Sequence, residues 1–170
     1  TTYQDNAAIL FGLENIAEER WVSRSVLEGM AAHEMGHVAH FYWRTWHGSA
    51  EGAGPWWQLY TEGFAQLCEH RMAGRESWHM AATTDSDDWL AWCREHERWL
   101  AAEFLRMVEA GESVRPFFAS WYSLHGRRQT GYYLGHQIMC RLEEAMTLQE
   151  IAVLEPVEAT LRPLVKSMAR

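Results

Sequence analysis

The stretch Ser25-Val26-Leu27-Glu28-Gly29-Met30-Ala31-Ala32-His33-Glu34-Met35-Gly36-His37 decides how this chain is read. Ser25 and Glu28 stand at capping-box spacing, and the residues that follow carry helical apolar spacing, which predicts a helix from about Val26 to Trp46. On that helix His33 and His37 share a face about 6 Å apart along the axis, so both imidazoles can address one ion. Glu34 sits about 100° further round, where its carboxylate can reach a water at the ion without ligating the ion itself. Two neutral nitrogen donors, an adjacent base and a coordination position left for water are what a hydrolytic zinc site needs.

A third ligand has to come from elsewhere. His40 lies seven residues beyond His33, about 10 Å along the helix, too far to share an ion with bonds near 2.0 to 2.1 Å. The longer zinc-protease pattern, with a Gly and a third His further along, is absent, because His40 and Trp43 occupy those positions. Glu62 is the better placed donor. It falls early in a second helical segment that Pro55 suits at its start and Gly74 at its end. The glycines of Gly48-Ser49-Ala50-Glu51-Gly52-Ala53-Gly54 allow a chain reversal, so the second helix is expected antiparallel to the first, with Gly63 letting the two backbones approach closely.

His33-Glu34-Met35-Gly36-His37 followed by Glu62-Gly63-Phe64-Ala65 resembles the gluzincin arrangement, in which a Glu on a following helix completes the zinc site. Gly131-Tyr132-Tyr133-Leu134-Gly135-His136 is similar to a Gly-Tyr-x-x-Gly-Tyr element in a family of bacterial proteins classed as zinc-dependent proteases, with His136 where that family usually has its second Tyr. The likeness runs from roughly Ile9 to Met146. It implies an α+β, predominantly helical, zincin-like domain with a Zn²⁺ cofactor, a small N-terminal sheet or single edge strand, and a helical C-terminal part. It implies too that Zn²⁺ is held by His33, His37 and Glu62, with Glu34 as general base. The donor to the developing oxyanion is Tyr132, Tyr133 or His136, with His125 a weaker candidate.

The rest of the chain bounds this expectation. At 170 residues the prior is one domain, 1–170, with a single core, and the opening at Thr1 without an initiator Met leaves room for upstream segments. Hydrophobic residues make up 48 % and charged residues 22 %, an ordinary globular balance. The net charge of −8 argues against a phosphate backbone as the main partner, so no nucleic acid is expected. No apolar run reaches the roughly 18 residues of a membrane span, and no signal region is evident, so the expected compartment is the cytoplasm without membrane attachment. Cys68, Cys93 and Cys140 are odd in number and unpaired in spacing, which reads as buried thiols.

Ala8-Ile9-Leu10-Phe11-Gly12-Leu13 is the strand candidate. A third helix is expected from Asp85 to Asp88 through Trp89, Trp92 and Trp99 to Gly111, and a fourth from Gly131 to Met146 with Thr130 as its cap. Thr147-Leu148-Gln149-Glu150 forms another capping box, opening a short helix that stops before Pro156. Arg127 and Arg128 are basic side chains that could meet a substrate carboxylate. The expected activity is hydrolysis of a peptide bond in a peptide or protein substrate. Its rivals are a non-catalytic zinc-binding module, an all-helical interaction protein, and a metal-dependent amidase acting on small molecules. Oligomeric state and substrate preference are not written in the sequence.

Overall fold

Helix-forming runs punctuated by Gly and Pro become helices in the computed structural model, which describes residues 2–3, 6–18, 21–83 and 88–170. A hairpin of two-residue strands, β1 (Thr2–Tyr3) and β2 (Asn6–Ala7), leads into a short helix α1 (Leu13–Glu18). The long helices α2 (Arg24–His47) and α3 (Pro55–Ala73) follow, then a 3₁₀ turn at His79–Thr83. The remaining helices are α4 (Trp89–Glu95), α5 (Glu97–Glu109), α6 (Arg115–Phe118), α7 (Thr130–Glu143), α8 (Leu148–Ala152) and α9 (Val157–Met168). The chain is predominantly helical. No described helix is long and apolar enough to cross a membrane.

The strand expected at Ala8 to Leu13, and with it the small N-terminal sheet or single edge strand, is not supported. Ala8 to Gly12 take no regular structure and Leu13 opens α1, because nothing among the described residues offers that run a partner strand. Leu10 and Leu13 stay exposed instead of facing a core. Other boundaries shift for local reasons. Ser23, not Ser25, caps α2, its Oγ accepting from the Val26 N–H at 3.3 Å, while Glu28 pairs with Arg24 one turn back. Thr130 is the first residue of α7 and not its cap; the cap position is Gln129, in the left-handed region at φ 56°. The expected third helix breaks at His96 into α4 and α5, where the His96 ring stacks on Trp92 at 4.2 Å. Asp85 and Asp87, offered as its start, lie outside the described residues. The Thr147 capping box forms with both of its hydrogen bonds.

α3 is the central helix, buried on nearly every face and clasped between α2 and α7. Against α2 the register is antiparallel: Gly29 meets Glu69, Gly36 meets Ala65, and the His40 ring lies 4.9 Å from Tyr60. Against α7 the sense is parallel, with Gly63 on Gly135 and Arg71 paired to Glu143. Two glycine contacts make this sandwich possible. A Cβ on Gly36 would stand 2.9 Å from Ala65 Cα, and one on Gly63 would stand 2.6 Å from the Gly135 carbonyl, inside any tolerable contact. The close approach expected of Gly63 therefore exists, but toward α7, while Gly36 serves the α2 side.

α5 and α9 pack together and close the far end of the bundle. The connection between α8 and α9 is tied to α2 and α3 by two buried polar side chains. Tyr60 donates its hydroxyl to the Ala152 carbonyl at 2.7 Å, and Arg44 reaches the Leu154 carbonyl at 3.3 Å and Glu155 at 2.6 Å. Arg44 is 3 % exposed, so its charge is tolerable only because Glu155 and three carbonyls surround it. Of the tryptophans on the two long helices, Trp56 is core, Trp57 carries the Arg44 guanidinium over its ring, and Trp46 is 86 % exposed.

Candidate metal centre

Successive turns of α2 place His33 and His37 side by side, ring centroids 4.9 Å apart and nearly perpendicular. The antiparallel α3 sets Glu62 across from them, its Oε2 3.2 Å from His33 Nε2 and 3.4 Å from His37 Nε2. Donor atoms that share a tetrahedral ion through bonds of 2.0 to 2.1 Å stand about 3.3 to 3.4 Å from one another, so these spacings suit a common ion. The His33 side chain is 2 % exposed, against 30 % for His37 and 20 % for Glu62. One side of the trio is therefore sealed in the core and the other opens to solvent.

Two cavities meet at this open side. One of about 390 Å³ is lined by Trp21, His33, Glu34, Glu62, His79 and Tyr132. The other, about 730 Å³, is lined by Glu34, His37, Val38, Phe41, Trp57 and Thr61. Glu34 and His37 border both, so the candidate base stands at the junction.

The electrostatics follow from burial and pairing. Burial alone would lower the His33 pKa, but the neighbouring carboxylates of Glu62 and then Glu69 outweigh it and raise the value above that of an ordinary histidine. For Glu62, burial works upward, while hydrogen bonds from His33 and His37 hold the carboxyl far below the usual carboxylate range. The trio thus keeps a carboxylate charged inside a largely closed wall. Tyr132 is pushed well above the ordinary phenol value, by burial first and then by Glu62, Glu34 and Glu69, so it stays protonated and keeps a hydroxyl hydrogen to donate.

Of the three donor candidates, only Tyr132 faces the trio. Its ring lies 5.5 Å from that of His33. Tyr133 turns into the core and donates its hydroxyl to Glu97 Oε2 at 2.8 Å. His136, one turn further along α7, packs against His70 at 4.1 Å and Trp78 at 5.1 Å. Burial and then the neighbouring His70 push its pKa down to about 3, so it is neutral. His40 is boxed in by Trp57, Tyr60 and Phe64. His125 rests edge-on against Trp99 at 4.7 Å, Arg127 pairs with Asp88, and Arg128 holds the Ser120 carbonyl, so none of the three is spent on the trio.

Sequence reasoning missed Glu69 and His79. Glu69 is fully buried and lies 3.7 Å from His33 Nδ1, and His79 Nδ1 stands 2.7 Å from Glu69. His33, Glu69 and His79 form a second, wholly buried cluster of side chains of metal-ligand type, sharing His33 with the first. Glu69 carried a signal, since it follows Glu62 by seven residues and so repeats its face two turns on. His79 carried none, because it comes from the loop after Gly74. No family model, no curated protein and no solved structure matches this chain.

Proposed function

We propose that this chain is a zinc-dependent hydrolase that cleaves peptide bonds, built on a gluzincin-type ligand set in a zincin-like helical frame. The observation that carries the reading is the convergence of His33 Nε2, His37 Nε2 and Glu62 Oε2 beside Glu34, at the junction of two cavities. His33, His37 and Glu62 would hold the ion, which when bound acidifies a water and polarises a carbonyl. Glu34 takes up the water's proton on its carboxylate and returns it to the leaving amine. Tyr132 donates its hydroxyl hydrogen to the developing oxyanion. The sealed side of His33 and the ring of Tyr132 exclude water from behind the reacting atoms.

Cavities on both flanks of Glu34, about 390 and 730 Å³, suit an extended chain passing across the site and favour a peptide over a small amide. Val38, Phe41 and Trp57 give the larger one apolar walls for a bulky side chain. The proposed compartment is the cytoplasm, with which the free thiols of Cys68, Cys93 and Cys140 are compatible.

The test pairs two variants on a peptide-library substrate. Glu34→Gln keeps a full equivalent of zinc and loses most hydrolysis, whereas His33→Ala loses the zinc. Full activity of Glu34→Gln, or unchanged zinc content in His33→Ala, overturns the reading.

A further inference from the structure

Glu69 links the two groups of metal-binding side chains, and its surroundings are built around it. Its Oε1 accepts from Ser77 Oγ at 2.7 Å and from the His79 N–H at 3.0 Å, while Oε2 lies 2.7 Å from His79 Nδ1. Opposite, α2 carries Gly29 one turn before His33, where a Cβ would strike Glu69 Oε1 at 2.8 Å and Ser77 Oγ at 2.9 Å. The carboxylate is thus clamped from the loop, and the neighbouring helix is hollowed to admit it.

The remaining acceptor capacity of Oε2 faces His33. That imidazole shows its two nitrogens to two carboxylates of the same helix: Nε2 is 3.2 Å from Glu62 and Nδ1 is 3.7 Å from Glu69. The buried Nδ1 has no partner within hydrogen-bond distance, and the carboxylate set beside it, 3.7 Å away, is that of Glu69. Glu69 does not suit the role of ligand. Its 2.7 Å spacing from His79 Nδ1 is that of a hydrogen bond, shorter than the roughly 3.3 Å between two donors on one tetrahedral ion.

We propose that Glu69 is the positioning residue for His33: it accepts the Nδ1 proton, so that Nε2 is left unprotonated and aimed at Glu62 and His37, while Ser77 and His79 hold the carboxylate still. This rests on the reading of His33, His37 and Glu62 as the ligand set. A carboxylate behind a ligating histidine fixes both the tautomer and the ring direction, and its loss costs about 10- to 100-fold in metal affinity. In Glu69→Gln an amide N–H group replaces one acceptor. Meeting N–H groups on both imidazoles, it drives His33 toward the tautomer protonated at Nε2, which cannot ligate through that atom.

The experiment measures zinc affinity by chelator competition on the full chain, alongside the zinc-free melting temperature. Glu69→Gln, folded by its zinc-free melt, binds zinc about 10- to 100-fold more weakly than the parent. Parent-like affinity in the folded variant overturns the proposal. Should Glu69→Gln fail to fold, long-range ¹H–¹⁵N spectra of the zinc-loaded parent decide instead: His33 is expected protonated at Nδ1 and metal-bound at Nε2. Ligation through Nδ1 overturns the proposal and moves the ion to Glu69 and His79. If His33→Ala and His37→Ala bind zinc like the parent, the underlying ligand set is what fails. If they lose zinc while Glu69→Gln keeps it, only the role of Glu69 fails.

Discussion

Replacing Gly63 by Ala tests the packing that sets the site, because the new Cβ would lie 2.6 Å from the Gly135 carbonyl carbon and oxygen and 2.8 Å from its Cα. Ordinary carbon contacts begin near 3.5 Å, so something must yield by about 1 Å. α3 cannot retreat toward α2, since Gly36 already brings the two helices to a distance at which a Cβ would stand 2.9 Å from Ala65 Cα. The displacement therefore falls on α7, which carries Tyr132 with it. Overpacking costs about 1 to 3 kcal/mol, and a clash with backbone atoms alone falls in the upper part, about 2 to 3 kcal/mol, against which the better helix propensity of Ala returns about 1 kcal/mol. The expected net loss is about 1 to 2 kcal/mol, or roughly 2 to 8 °C in melting temperature for a domain of this size. Urea denaturation reads the first quantity, chelator competition the zinc affinity, and peptide hydrolysis the consequence of moving Tyr132. Zinc affinity should stay near the parent value, because His33, His37 and Glu62 belong to the pair of helices that does not shift. A Gly63→Ala protein as stable as its parent would refute the close α3–α7 approach, and loss of zinc with unchanged stability would refute the direction of the displacement.

Tyr132→Phe should lower the turnover number about 10²- to 10³-fold, as loss of an oxyanion donor does, with zinc affinity unchanged. Tyr133→Phe should leave turnover intact and cost about 1 kcal/mol through the lost bond to Glu97, so equal kinetic effects from the two variants would contradict the assignment. His136 supplies a pH prediction. Its pKa falls from 6.5 to about 3 on folding, so below pH 6.5 the unfolded chain takes up a proton that the folded one refuses. Stability is fully present above pH 6.5 and is lost as the pH falls from there toward 3, by on the order of 3 kcal/mol at pH 4.5. His136→Phe should flatten that limb in zinc-free urea titrations at pH 7 and 4.5; parallel curves for parent and variant would count against it.

The long helices were legible because their ends are chemically marked. Pro55 and Gly74 bracket α3 within a residue of its bounds, and the Thr147 box opens α8. The strand at Ala8 to Leu13 was misread because an apolar run announces burial without saying what will cover it, and no described strand pairs with it. Tyr132 and Tyr133 were inseparable for a related reason: neighbours on a helix differ by about 100° of azimuth, and which one meets α3 depends on the face α7 turns toward it.

That face was nevertheless encoded, in small residues and not in apolar ones. Gly135 lies three residues after Tyr132 on the same side of α7, and it touches Gly63, the neighbour of Glu62. On α2 the buried series Gly29, His33, Gly36, His40 runs at spacings of four, three and four, a helical seam that a search for Leu, Ile and Val passes over. Each glycine in it admits a group of α3 that a side chain would expel, Glu69 at Gly29 and Ala65 at Gly36. Each histidine is thereby drawn against the same helix, His33 to Glu62 and His40 to Tyr60. The spacing that lets two backbones approach is thus the spacing that delivers the imidazoles, and the seam of α2 carries packing and site together.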